Sequence, residues 1–298
     1  MSSNFRTTIL GDSMAKVLLF SGISLDMRIY LVRHGQSESN ADWNVNTVKA
    51  DHAIELTSEG KDQATGAGEF LRDHFAAFAQ RHGYVPKTRL WHSPYMRTRQ
   101  TATQISKACV VSEETHILHK RPQPGVMFMG NTYKTRAKGQ TFFMDDLDPE
   151  APVPHGKEHI LLAEQQFGVF DGLSDEERAE QYPTEQAYYE KCKKFEGKMW
   201  PKMPLGESRF EVCQRVHQAF GTFHRDAERH NIEDIVVVGH GTTNRAFVQM
   251  WLHKRWEWMH EEPNPKNCSV RLIEDGEDKG YIFEGYENPE GYKHKARK

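Results

Sequence analysis

The chain lacks most of the features that mark a specialised class of protein. It has four cysteines (Cys109, Cys192, Cys213 and Cys268), widely spaced and with no C-x-x-C pair. That pattern excludes a disulfide framework and a cysteine zinc site, and predicts reduced thiols in a cytoplasmic protein. No apolar run approaches the roughly 20 residues a membrane helix needs. Val17–Ile23 is short, and no small-residue cleavage pattern follows it, so a secretory signal is not expected. Neither sign of charge dominates: 39 Lys and Arg face 42 Asp and Glu, a net charge of −3. Neither a nucleic-acid nor a membrane-surface partner is therefore expected. Internal repeats and heptads are absent.

What is present suits a soluble enzyme. With 298 residues, 37% hydrophobic and 27% charged, the chain can bury a sizeable core as one large α/β domain with insertions or two small domains. Residues 1–26 read as an N-terminal extension. Their Ser and Thr content, with Arg6, Lys16 and nearby Arg28, leaves organelle targeting as the alternative to the cytoplasm, against which Asp12 and Asp26 count. From residue 27 to 298, strand and helix patterns alternate, the signature of an α/β layered fold with a mainly parallel sheet.

The predicted strands are Ile29–Val32, Arg89–His92 and Ile235–Val238, with a terminal hairpin of Val270–Ile273 and Tyr281–Phe283. A helix opens at Thr57 or Ser58 and buries Ala64, Ala67, Phe70, Leu71 and Phe75. Others are predicted over Tyr95–Lys107, Glu207–His230 and Thr242–Leu252. Residues 120–159 hold five prolines and four glycines without a clear period, and read as an insertion. Trp251, Trp256, Trp258, Met250 and Met259 read as packing residues.

Two strands end alike, in Leu31-Val32-Arg33-His34-Gly35 and Val237-Val238-Gly239-His240-Gly241. Ligands of open α/β sheets bind beyond the carboxyl ends of parallel strands, so the two histidines can meet in one pocket. Each following glycine removes a Cβ and is expected to let backbone approach a ligand. A third strand ends at Ser93-Pro94 and opens a helix carrying Arg97 and Arg99. These cannot share a helical face, so at most one points at the strand ends.

Leu31–Asn40 resembles the signature of the histidine phosphatase superfamily, the phosphoglycerate mutase-like proteins. Ser93–Ala102 is similar to the second family element, Ala163–Gly168 to the third, and Gly206-Glu207-Ser208 with Val238–Gly241 to the last. The resemblance spans residues 28–285 apart from the insertion, and implies a three-layer α/β/α sandwich. It implies that His34 is the nucleophile and Glu164 the general acid and base. It likewise makes Arg33, Arg97 and His240 the holders of the phosphoryl oxygens, with Asn40 and Gly241 lining the phosphate pocket. No metal is expected, because two arginines and a second histidine supply the positive charge. Glu164 must be protonated to donate, and Leu161, Leu162 and Phe167 suggest an apolar setting, which the arginines oppose.

The expected ligand is a small phosphorylated metabolite or phosphate ester; oligomeric state is unreadable. Cofactor-dependent mutases carry a Phe-Thr-Gly-Trp-like element after the first motif, and residues 42–57 have none. The Asp51-His52-Ala53-Ile54-Glu55-Leu56-Thr57 stretch instead resembles a eukaryotic phosphatase-like branch. A phosphatase is therefore favoured; a mutase, which would need a bisphosphoglycerate primer, is the alternative. Two remoter readings are a non-catalytic phospho-ligand binder and a zinc protease. The latter rests on His155-Gly156-Lys157-Glu158-His159, which has the H-x-x-E-H spacing but too much Pro and Gly for the helix it needs. Arg121, Lys134, Arg136 and Lys138 make the insertion a candidate lid over an anion.

Overall fold

In the computed structural model of the chain, residues 27–109, 115–118, 133–136 and 156–287 are described. Residues 1–26, Arg121, Lys138 and His155 lie outside them; Lys134 and Arg136 fall within a strand.

The first half runs β1 (Arg28–Arg33), a single-turn α1 (Glu38–Ala41), α2 (Ser58–His82), β2 (Thr88–His92) and α3 (Met96–Ala108). The strands β3 (Thr115–Leu118) and β4 (Tyr133–Arg136) form a separate antiparallel pair. Then come β5 (Lys157–Glu158), α4 (Asp175–Gln181) and α5 (Pro183–Glu196). The last part holds α6 (Arg209–His230), β6 (Asp234–Gly239), α7 (Gly241–Trp251), α8 (Trp258–Glu261), β7 (Val270–Glu274) and β8 (Glu277–Phe283).

The main sheet has the order β5-β2-β6-β1-β7-β8. Its first four strands are parallel, whereas β7 runs antiparallel to β1 and pairs with β8 as a hairpin, so the sheet is mixed. The central strands are buried on both faces, which explains their unbroken apolar runs. Their two-residue period divides the core. Ile29, Leu31, Ile235 and Val237 pack with Val216, Phe223 and Phe247 of α6 and α7. Tyr30, Val32, Val236 and Val238 pack with Leu71, Phe75 and Ile105 of α2 and α3. Helices thus cover both faces. Each fully buried Leu, Ile or Phe here contributes about 1.5–3 kcal/mol of transfer free energy.

Helix limits follow from capping. Thr57 Oγ1 accepts the Gly60 amide at 3.0 Å, and Gly83 closes α2 with φ of +72°. Ser208 and Glu211 form a reciprocal capping box that opens α6. The β7–β8 turn is Asp275-Gly276, both with positive φ, as a tight two-residue hairpin demands. The second hairpin strand begins at Glu277, earlier than expected, because that turn starts the pairing at once.

The structure departs from expectation in three places. Residues 120–159 are not wholly irregular: they supply β4, and Lys157–Glu158 joins the sheet as its edge strand β5. Helices α4 and α5 were not expected; α4 buries none of its residues and α5 only Gln186, so no apolar stripe marks either. Trp256 is 40% exposed and faces Trp200, unlike Met259, Trp251, Trp258 and Met250, which pack on the core.

Candidate active site

Strands β1, β2 and β6 are parallel neighbours, so their carboxyl ends lie side by side. Arg33 is opposite Gly239, and His92 opposite Val238. The amide of His34 donates to the Gly239 carbonyl at 3.0 Å, and that of Ser93 to the Val238 carbonyl at 3.1 Å. This register brings the His34 and His240 rings to a centroid distance of 5.3 Å. Both residues are buried, and His34 forms part of the floor of a cavity of about 340 Å³.

His34 Nδ1 lies 2.7 Å from the Gly35 carbonyl oxygen. A carbonyl can only accept, so Nδ1 carries the proton and Nε2 keeps its lone pair. Burial, then the charges of Arg97 and Arg33, hold the imidazole well below the usual histidine range; the Gly35 bond opposes this without reversing it. The ring is thus a neutral nucleophile. His240 is depressed in the same way, by burial first and then by Arg97, His34, Arg215 and Arg33. Its Nε2 meets Ser93 Oγ at 2.7 Å, and its buried Nδ1 has no partner among the described residues.

Arg33 and Arg97 line the cavity, as does Gly241 at the start of α7. Arg33 Nη1 donates to the Pro265 carbonyl at 2.5 Å. Arg97 Nη1 donates to the Asp51 carbonyl at 2.6 Å and to Asp51 Oδ1 at 2.8 Å, and its guanidinium lies 4.9 Å from the Tyr95 ring centre. Arg99 points elsewhere, to Glu158 on β5 at 2.6 Å. Only one of the two arginines reaches the strand ends. That ion pair also occupies Glu158, and the segment around it is a strand and a short 3-10 turn. The helix required by a zinc site built on His159 and Glu158 is absent there.

Asn40 lines the cavity from the single turn of α1, whose capping box it completes with Ser37. Its Oδ1 accepts from the Ser37 amide at 3.2 Å and from Asn267 Nδ2 at 3.0 Å. The same Asn267 amide also donates to the His34 carbonyl at 3.2 Å.

Glu164 stands in the cavity wall with its carboxyl at the N-terminus of α7. Oε2 accepts the Thr242 amide at 3.1 Å; Oε1 accepts the Gln165 and Thr243 amides at 2.9 and 3.2 Å, and the Thr243 hydroxyl donates to the Ala163 carbonyl beside it at 2.7 Å. Of the expected apolar setting, Leu161 and Leu162 turn toward the core, Phe167 lines the cavity with Glu164, and polar donors meet the carboxyl itself. Arg215 on α6 clamps the turn that carries Glu164: it donates to the carbonyls of Leu161, Ala163 and Glu164 and pairs through two nitrogens with Glu207.

The two glycines after the histidines differ in what surrounds them. A Cβ on Gly35 would strike the Gly60 carbonyl of α2, and one on Gly241 the Asn264 side chain. Gly35 therefore makes room for α2 and not for a ligand, contrary to expectation, whereas Gly241 lines the cavity together with Asn264. Ser93, Asp51, Arg215 and Thr243 were also missed. The Gly206-Glu207-Ser208 motif carried a signal for Arg215; Ser93 and Thr243 sit beside recognised histidines, but their bonds depend on register.

A mixed sheet wrapped by helices, with paired histidines at neighbouring strand ends, is the phosphoglycerate mutase-like α/β architecture. The α-ribazole phosphatase of Shigella flexneri shares this fold, with a TM-score of 0.54 at 16% identity over 87% of this chain and 96% of that one. The family model for the histidine phosphatase superfamily (branch 1) matches residues 29–118 and 155–287. The chain belongs to that superfamily. The phosphoglycerate mutase-like protein AT74 of Arabidopsis thaliana is 27% identical over 86% of this chain and 67% of its own length. The broad-range acid phosphatase DET1 of Saccharomyces cerevisiae is 24% identical over 83% of this chain and 84% of its own.

Proposed function

We propose that the protein is a metal-independent phosphomonoester hydrolase working through a phosphohistidine on His34. One observation carries this reading: the Gly35 carbonyl holds the proton on Nδ1, so the lone pair of Nε2 faces a cavity lined by two arginines. In the first step Nε2 attacks phosphorus and the phosphorus–oxygen bond of the ester breaks. The leaving oxygen takes a proton from Glu164. Oε2 suits that transfer, because it accepts one amide while Oε1 accepts two. In the second step the Glu164 carboxylate takes a proton from water, which attacks the phosphohistidine and releases inorganic phosphate and free His34.

Arg33, Arg97 and the buried Nδ1 of His240 supply donors for the three equatorial oxygens, where charge accumulates in flight. Tautomer, electrostatics and leaving-group acid then converge on one phosphoryl position. The yeast relative is an acid phosphatase, which supports hydrolysis over transfer, as does the missing mutase element in residues 42–57. A small phosphorylated metabolite in the cytoplasm is the corresponding substrate.

The test is rapid quenching of the enzyme with labelled substrate. The expected result is acid-labile phosphate on the wild type and none on His34→Ala, whose turnover falls to background. A His34→Ala protein hydrolysing at the wild-type rate would overturn the assignment. Incubating the wild type with 3-phosphoglycerate and a bisphosphoglycerate primer separates the outcomes, as free phosphate or 2-phosphoglycerate.

A further inference from the structure

The cavity holds more positive charge than one phosphoryl group requires. Besides Arg33 and Arg97, it is lined by Arg178 of α4, Arg209 of α6 and Arg245 of α7. Arg178 is neutralised by Asp175 at 3.2 Å. Arg209 and Arg245 differ from it. Among the described residues, their hydrogen bonds go only to backbone carbonyls. Arg209 Nη1 reaches Met259 at 3.5 Å; Arg245 donates from Nε to Gly241 at 3.1 Å and from Nη1 to Glu262 at 3.2 Å. No carboxylate of the described residues lies within 4.0 Å of either guanidinium.

Both side chains are partly buried, and burial holds each below the usual guanidinium range; in Arg245 the charge of Arg209 adds to it. Two like charges kept close and without a counter-ion are unfavourable in the empty site. Glu164 is the carboxylate whose charge reaches both, and its oxygens are already engaged with α7 and Gln165. The Glu262 carboxylate, which also reaches Arg245, is bound to Arg271. The surplus charge therefore gathers around the residue that faces the leaving oxygen. Asp51 and Asp171, also lining the cavity, disfavour an anion near themselves.

We propose that Arg209 and Arg245 form a second anion subsite on the leaving-group side of Glu164, selecting phosphomonoesters whose alcohol portion itself bears a carboxylate or a second phosphate. The proposal rests on the hydrolase reading for its substrates, but the subsite is also measurable by binding alone. Tyr189 and Asn264, which line the same cavity, offer neutral hydrogen-bonding groups beside the two guanidiniums.

The test uses matched substrate pairs that differ in one anionic group. 3-Phosphoglycerate against glycerol 3-phosphate isolates the carboxylate; fructose 1,6-bisphosphate against fructose 6-phosphate isolates the second phosphate. The wild type is expected to favour the anionic member of at least one pair by about tenfold or more in kcat/KM, and the pair concerned identifies the group. Arg209→Met and Arg245→Met should bring that ratio toward one, whereas Arg209→Lys, which keeps the charge, should preserve much of it. Ratios near one in the wild type for both pairs, or an unchanged ratio in the two Met variants, would overturn the subsite. Calorimetric binding of the same pairs to His34→Ala protein reads the subsite without turnover. Absence of hydrolysis on every ester would count against the hydrolase alone. The binding ratio then decides the subsite: about tenfold or more supports it, and equal affinities overturn it. Arg245 also braces α7, so Arg209→Met, checked by thermal melting, carries the variant arm should Arg245→Met fail to fold.

Discussion

The two ends of the sheet each bury an arginine against an aspartate, and the two pairs are built differently. At the amino end, Arg28 meets Asp234 through two parallel bonds, Nε to Oδ1 at 2.7 Å and Nη2 to Oδ2 at 3.1 Å. Phe78 stacks on the guanidinium at 3.6 Å, and the Asp234 side chain is fully buried. At the carboxyl end, Arg97 gives one nitrogen to Asp51, whose side chain is 27% exposed and whose segment is a short 3-10 turn. The first pair satisfies the Asp234 carboxylate with two donors of one fork, and Glu274 stands 4.0 Å from the remaining Nη1. The second leaves the remaining guanidinium donors of Arg97 to the cavity, behind a partner that solvent reaches. A structural ion pair satisfies both fork and carboxylate; a binding arginine is held by a partner that leaves donors over.

Breaking each pair should therefore give effects of different kinds. Arg97→Ala is expected to cost about 10²–10³-fold in kcat/KM through lost electrostatic stabilisation in transition-state binding, with little change in thermal stability; steady-state kinetics beside a melting curve checks both. Asp234→Asn should do the reverse. It leaves a buried Arg28 without its bidentate counter-charge, with only the part-exposed Glu274 at 4.0 Å, and should cost about 3 kcal/mol in stability, with activity per folded molecule close to wild type; denaturant titration measures it. A smaller effect concerns pH. His34 and His240 are held neutral in the fold, with values well below the ordinary one. The unfolded chain therefore binds more protons below about pH 6.5, so their contribution to stability is complete above that value and is lost as the pH falls toward the folded values. Melting midpoints should decline on acidification, and less steeply in a His34→Ala, His240→Ala double variant. The smallest effect is expected at the surface pair Arg99–Glu158, with side chains 37% and 42% exposed. Arg99→Ala should change stability by under about 1 kcal/mol; a larger loss would mean that β5 depends on that pair for its place in the sheet.

Much of this was readable along the chain because its causes are local. The runs Ile29–Val32 and Ile235–Val238 have the composition of strands buried on both faces, and Thr57 and Ser208 cap the helices they precede. The strand-end histidines and arginines carry their chemistry in their residue types. Helices α4 and α5 were illegible because they cover the site without burying an apolar face. The roles of Asp51, Ser93 and Arg215 were hidden for another reason. Each acts on a residue at least 46 positions away, as in Arg97–Asp51, Ser93–His240 and Arg215–Leu161, and only the packed sheet and helices bring them together.

By itself the sequence determined which residue types stand at the ends of the central strands, since alternation and capping act within a few residues. It also held the arginine, histidine and glutamate on which the proposed phosphoryl chemistry rests. The tertiary structure alone decided what they do together. Register set His34 beside His240, and α7 brought its amides to Glu164. Gly35, which looked like room for a ligand, proved to be room for α2, whereas Gly241 lines the cavity beside Asn264. Proton position on His34, the partner of Arg97 and the lack of a carboxylate beside Arg209 and Arg245 among the described residues all depend on how distant segments pack. Short-range geometry is written in neighbours, whereas electrostatics is written in whatever the fold brings close.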